Sequence, residues 1–140
     1  MKVRDIMTAP AVSISPGESV EVAARTLTQY NIGALPVCGS NGKLCGMITD
    51  RDLVIRCMAA QKPAVGTAVG DVMSTGVEYV SADMDAAVAA HLMGRRQIRR
   101  LPVVENGKLC GIVTLGDLAR REDSIMDAAD ALGDISSNVR

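Results

Sequence analysis

Gly46-Met47-Ile48-Thr49-Asp50-Arg51-Asp52-Leu53 decides how this chain folds, and it returns as Gly111-Ile112-Val113-Thr114-Leu115-Gly116-Asp117-Leu118. Each copy reads as a short apolar strand that ends on a threonine and turns directly into a helix. An aspartate follows three positions after the hydroxyl. A helix start carries backbone N–H groups without intrahelical partners and favours negative charge. Beside a hydroxyl and a carboxylate, it can hold a phosphate on the first two features and a sugar diol on the third. The chain is therefore expected to be a scaffold presenting two such sites.

The repeat extends well beyond these octets. Val3-Arg4-Asp5-Ile6-Met7-Thr8 matches Val69-Gly70-Asp71-Val72-Met73-Ser74, and Leu35-Pro36-Val37 matches Leu101-Pro102-Val103. The register then slips by one residue, so that Gly42-Lys43-Leu44-Cys45-Gly46 faces Gly107-Lys108-Leu109-Cys110-Gly111. Two long copies indicate a duplicated half-domain rather than a solenoid. Residues 1–60 form the first repeat, 61–68 a linker containing Pro63 and Gly66, 69–121 the second repeat, and 122–140 a tail. In the tail, Ile125, Met126, Ala129 and Leu132 have helical spacing, which predicts a short helix ending before Gly133.

Within a copy the expected order is strand, helix, strand, strand, helix. Ala11-Val12-Ser13-Ile14 and Val77-Glu78-Tyr79-Val80 read as the opening strands. Ser19 and Asp85 are suited to N-cap the helices that follow. Val20, Ala23, Ala24 and Leu27 make one apolar stripe, repeated by Ala86, Ala89, Ala90 and Met93. Gly39-Ser40-Asn41-Gly42, and the tighter Glu105-Asn106-Gly107-Lys108, are hairpin turns between apolar runs. Pro36 and Pro102 are expected at strand starts, where no ladder N–H is lost. The fold class is α/β (α+β), with two β-α-β-β-α repeats expected to pack about a pseudo-twofold axis, since a half of this size buries little alone.

Composition excludes several functions. Hydrophobic residues make up 48% of the chain, yet Tyr30 and Tyr79 are its only aromatics. With 15 basic against 16 acidic residues there is no basic face for nucleic acid, and few rings for stacking on single strands. No apolar run reaches membrane-span length, and Met1-Lys2-Val3-Arg4-Asp5 lacks a signal-peptide core, which points to the cytoplasm. Cys38, Cys45, Cys57 and Cys110 contain no close C-x-x-C pair and read as reduced, buried thiols rather than metal ligands. His91 is the one histidine and sits on a helix surface, so no Ser-His-Asp or Cys-His pair can be assembled. Neither Thr49 nor Thr114 has a neighbouring general base, and an enzyme is not expected.

The duplicated pattern, with D-[IV]-M-[TS] at its start, I-x-x-L-P-V in its middle and G-[MI]-[IV]-T-x-x-D at its end, resembles the CBS (cystathionine β-synthase) domain family over residues 3–121. A tandem pair of this kind is often called a Bateman module. The resemblance implies a regulatory module, with no catalytic residues, metal or required cofactor. It would bind AMP, ADP, ATP or S-adenosylmethionine in clefts between the repeats. The site in repeat 2 would use Thr114 toward the α-phosphate and Asp117 toward the ribose, with Gly116 at the turn. Ile112, Pro10, Ala11, Ile32 and Gly33 would surround the base. The site in repeat 1 would use Thr49 and Asp52, with Met47, Gly76, Val77, Ile98 and Arg99 around the base and Arg51 and Arg100 toward phosphates. Arg99 replaces the small Gly33 and either blocks a base or adds a phosphate contact. A homodimer and a protein effector are implied partners, with no nucleic acid and no membrane.

The same residues admit plainer readings. Thr-x-x-Asp at a helix start is close to a capping box, although Glu or Gln is the usual third residue. Cap and ligand site are both compatible with the spacing, and phosphate can replace cap contacts. Asp5 and Asp71 are read as caps of the turns that open each repeat, and Met7 and Met73 as core fillers.

Overall fold

In the computed structural model, residues 1–121 and 125–137 are described. Helices and strands alternate in the order 3-10 turn (Val3–Asp5), α1 (Val20–Tyr30), β1 (Ala34–Cys38), β2 (Leu44–Thr49), α2 (Asp50–Asp52), α3 (Val69–Val72), α4 (Ala86–Arg96), β3 (Arg100–Glu105), β4 (Lys108–Thr114), α5 (Leu115–Ala119) and α6 (Ile125–Ser136). Between α2 and α3, Leu53–Met58 continues the helix in π-helical form, and Ala59 N–H donates to the Val54 carbonyl at 2.8 Å. The strands form two separate antiparallel sheets, β1-β2 and β3-β4. Of the expected tail, residues 122–124 and 138–140 lie outside the described residues.

Two compact units emerge, and each combines segments of both repeats. One contains Met1–Ala11 and Glu78–Arg140, the other Val12–Val77. In the first, the opening segment of repeat 1 joins β4, where Thr8 and Ile112 exchange backbone hydrogen bonds of 2.8 and 3.0 Å. In the second, the opening segment of repeat 2 joins β2 in the same way, with Met47 and Ser74 exchanging bonds of 2.9 and 2.8 Å. Glycine makes both unions possible. A β-carbon on Gly46 would stand 2.6 Å from the Ser74 carbonyl oxygen, and one on Gly111 would stand 2.9 Å from that of Thr8. The exchanged segments also serve the helix starts: the Met1 carbonyl accepts from Ala86 N–H and the Thr67 carbonyl from Val20 N–H.

Each unit has its own core. Val3, Ala89, Met93, Leu101, Val103, Val113 and Leu118 are fully buried in the first, with Met7 packed against them. Val20, Ala23, Leu35, Val37, Ile48 and Val69 fill the second, with Met73 alongside. Ser19 and Asp85 cap α1 and α4, accepting from Val22 and Ala87 N–H groups. Both helices stop at a left-handed residue, Asn31 (φ 53°) and Gln97 (φ 57°), and the following N–H of Ile32 or Ile98 reaches back to the carbonyl of Leu27 or Met93. Asp5 accepts from Lys2 N–H and caps the opening turn, whereas no cap bond is made at the start of α3.

Four expectations change. The opening strands shrink to single parallel bridges, Ile14 to Val37 and Val80 to Val103. Ile14 N–H donates to the Pro36 carbonyl, and the next ladder bond would need an N–H on Pro36 that does not exist; Pro102 ends the second ladder identically. These prolines therefore sit in the middle of β1 and β3, with the missing donor on the outer edge rather than at a strand start. Ala24 is exposed although its counterpart Ala90 is buried, because α6 packs on α4. The tail helix itself runs through Gly133 to Ser136 and buries Ala128 and Ala131. At Gly94 on α4 an added β-carbon would stand 2.8 Å from Asp134 Oδ2 and 3.3 Å from Asp134 Cβ, so α4 and α6 meet closely there. Ile125, Met126 and Leu132 stay exposed.

All four cysteines are free thiols, and they are not equally buried. Cys38 and Cys57 are covered, Cys110 is half-covered, and Cys45 is exposed at the bulge opposite Val37 and Cys38. Burial, reinforced by the neighbouring Cys45 and opposed by a hydrogen bond with Ser13, pushes the Cys38 thiol up. Burial, with Glu105 adding to it and Arg4 opposing, does the same at Cys110. The thiolate is the reacting form, so Cys45 is expected to react first with a disulfide reagent at pH 8 and Cys38 only on unfolding. Mass mapping of the modified peptides checks this order, and early labelling of Cys38 contradicts it.

Candidate functional site: two threonine–aspartate helix starts

β2 and β4 each run out at a threonine in extended conformation, and the next residue begins a helix. In repeat 1, Asp52 N–H donates to Thr49 Oγ1 at 3.0 Å, and Thr49 N–H donates to Asp52 Oδ2 at 3.0 Å. In repeat 2, Asp117 N–H donates to Thr114 Oγ1 at 3.0 Å, and Thr114 N–H donates to Asp117 Oδ2 at 2.8 Å. The capping box is thus formed in both copies, with Asp in place of the longer Glu. Both aspartates are buried, each 7% exposed. A buried carboxylate needs partners on both oxygens. Asp52 receives the Ser74 hydroxyl at 3.2 Å, with Arg56 Nε 3.7 Å from Oδ1. Asp117 is paired with Arg120, which stands where repeat 1 has Ile55.

The cavities beside the two starts differ. In the Val12–Val77 unit, a cavity of about 400 Å³ is lined by Thr49, Arg51, Asp52, Ile55, Arg56 and Ser74. In the other unit, a cavity of about 540 Å³ opens against Thr114 and Gly116, with Arg99, Arg100 and residues of α5 and α6 around it. Arg56 also donates to the Met73 carbonyl and Arg121 to the Asp5 carbonyl, so one arginine position ties each helix to its exchanged segment.

The remaining residues singled out in the sequence divide between the units. Met47 is buried on the pair with Ser74, Gly76 holds φ +66°, and Val77 is half-buried. Gly33 accepts from Asp50 N–H at 3.0 Å, and Ile32 beside it is exposed; both share the unit of Thr49. Pro10 (after a cis peptide bond), Ala11, Ile98, Ile112 and Gly116 lie in the unit of Thr114. Arg99 accepts from Leu115 N–H through its carbonyl, and Arg100 pairs with Thr114 across β3-β4. Both arginines line the Thr114 cavity. Sequence reasoning passed over Ser74, Arg56 and Arg120 as site residues. The recurring hydroxyl of Thr8 and Ser74, and an arginine four residues after Asp52 and three after Asp117, were available signals. Among the described residues, no group of three or more His, Cys, Asp or Glu is placed to hold a metal ion, and no helix is long and apolar enough to cross a membrane.

Two half-domains exchange their opening segments, and each carries a capped threonine–aspartate turn beside a cavity. The CBS domain profile matches residues 3–58 and 69–124, so the chain belongs to the CBS domain family as a tandem pair. It is 42% identical over 134 residues to the CBS domain-containing protein YhcV of Bacillus subtilis, covering 96% of this chain and 94% of that protein. The crystal structure of Hypoxic Response Protein I with two coordinated zinc ions superposes with a TM-score of 0.81 at 36% identity, covering 86% of this chain and 98% of that one. The structure of CBSX2 in complex with AMP superposes with a TM-score of 0.76 at 31% identity, covering 89% and 98%.

Proposed function

We propose that this chain is a non-enzymatic regulatory module that binds an adenine nucleotide of the AMP, ADP or ATP class at its threonine–aspartate helix starts. The observation that carries this reading is the twofold construction of one arrangement: hydroxyl, buried carboxylate, arginine and adjacent cavity at each helix start. The AMP complex of a similar CBS pair supports the ligand class. In each site the ribose hydroxyls take the carboxylate oxygen now held by Ser74 or Arg120, and the phosphate meets the threonine hydroxyl and a nearby arginine. Pro10 and Ala11 of repeat 1 share a unit with Thr114 of repeat 2, and in this reading the nucleotide reaches residues of both repeats. Binding then favours the arrangement that holds it best and passes that preference to a protein effector by population shift. The module acts in the cytoplasm as a homodimer paired through helix faces, where Val54, Ile55 and Met58 stand exposed.

One observation favours a second reading, a constitutive interaction module with vestigial clefts: both aspartates already have intramolecular partners. Calorimetric titration of the chain with AMP, ADP, ATP and S-adenosylmethionine separates the two. The sensor predicts saturable binding of a phosphorylated nucleotide with a dissociation constant on the order of micromolar. Absence of binding by all four ligands leaves the interaction module.

A further inference from the structure

We propose that Cys38 and Cys45, which flank the turn of the β1-β2 hairpin, are a redox modification site that a low-molecular-weight disulfide closes into an intrachain bond. The register puts Val37 opposite Gly46 and Cys38 opposite Leu44, which leaves Cys45 as the extra residue of a bulge at that step. Facing backbone positions of an antiparallel pair lie about 4.5–5.5 Å apart, inside the roughly 4.4–6.8 Å that a disulfide spans. The Cys45 thiol leans back over β1 and donates to the carbonyl of Val37, the residue before Cys38, at 3.2 Å. Its charge is felt at Cys38 as well: burial first, and then Cys45, hold that thiol protonated, against a hydrogen bond with Ser13.

Exposure and burial give the two sulfurs different parts. Cys45 is exposed and meets the reagent; Cys38 is buried and is reached only from within, so it is never itself labelled. The Cys45 thiolate attacks one sulfur of glutathione disulfide, forming a mixed disulfide and releasing one glutathione thiolate, which takes up a proton. Cys38 then gives its proton to solvent and attacks Cys45 Sγ. The Cys38–Cys45 bond forms as the mixed disulfide breaks, and the second glutathione leaves. The protein gives up two electrons and two protons, and one glutathione disulfide becomes two thiols. Because Cys38 is held protonated, closure is the slower step. Repeat 2 has half of this device. Cys110 occupies the same bulge and donates to the Val103 carbonyl at 3.4 Å, but Val104 stands where repeat 1 has Cys38. Closure therefore belongs to repeat 1, where it clips the hairpin directly before Gly46, the seat of the exchanged segment.

The folded full chain, incubated with excess glutathione disulfide at pH 8, then alkylated and mapped by mass spectrometry, tests this. Expected first is glutathione on Cys45. Its loss follows, leaving Cys38 and Cys45 joined, lighter by two hydrogens and restored by dithiothreitol. In Cys38→Ser the Cys45 adduct should persist at least about tenfold longer than in the wild type. Cys110 should stop at its adduct in the wild type, and Val104→Cys should let it close as Cys45 does. A Cys45 adduct that persists equally in the wild type and in Cys38→Ser overturns the proposal. So does Cys38 joined to any other cysteine, a bond that forms only in denaturant, or Cys110 left open in Val104→Cys.

Discussion

Gly46→Ala is expected to lower the melting temperature by about 10 °C, from a cost of about 3 kcal/mol at a few degrees per kcal/mol. The added methyl has no room. Its position lies 2.6 Å from the Ser74 carbonyl oxygen and 2.8 Å from the Met73 sulfur. The sulfur sits on a flexible side chain and can move, but the carbonyl cannot retreat without opening the paired bonds between Met47 and Ser74. Overpacking of this kind costs about 1–3 kcal/mol, and each weakened backbone bond adds about 0.5–1.5 kcal/mol. Gly111→Ala is expected to cost less, because the Thr8 oxygen stands farther off at 2.9 Å. Gly17→Ala is the control, since nothing lies within 4 Å of its added carbon. Thermal unfolding followed by circular dichroism checks the order. A Gly46→Ala protein that melts with the Gly17→Ala control would show that the exchanged segment is not held against β2 as described.

The second large effect is on binding. Asp117→Ala is expected to weaken AMP binding by about 100-fold or more at its site, as a charged contact to the ribose is lost and the Thr114 N–H loses its acceptor. The variant should also lose about 1 kcal/mol of stability as the helix cap disappears. Asp117→Asn separates the two consequences. The amide oxygen can still accept from Thr114 N–H, so stability should be nearly kept, while the uncharged group still binds ribose less well. Equal AMP affinity in the wild type and both variants would remove Asp117 from the site.

Much of this architecture was legible from the duplicated octets, because a strand ending in threonine, an aspartate three residues on and a hairpin before them are local features. Caps at Ser19 and Asp85 were readable for the same reason. What failed to show depended on partners distant in sequence. The missing N–H of Pro36 matters only once Ile14 lies beside it, and that pairing cut the opening strand to a bridge. The apolar stripe of the tail misled because α6 buries Ala128 and Ala131 and leaves Ile125, Met126 and Leu132 exposed, a choice of face set by its packing on α4. In the candidate site, the threonines and aspartates were found from spacing. Ser74 reached Asp52 only through the exchange of segments, and Arg99 and Arg100 joined Thr114 through β3-β4 pairing and the placement of α6. The cap and the ligand site could not be told apart in sequence, since both ask for a hydroxyl and a carboxylate at one helix start.

The claim at the centre of this account is that a nucleotide is held where β2 and β4 turn into helices, and a crystal structure of the chain grown with AMP tests it most directly. The account predicts ribose density within hydrogen-bond distance of Asp117 or Asp52, with the phosphate beside the corresponding threonine hydroxyl. AMP bound elsewhere on the chain, or both aspartates still closed on Ser74 and Arg120 at saturating AMP, would contradict it.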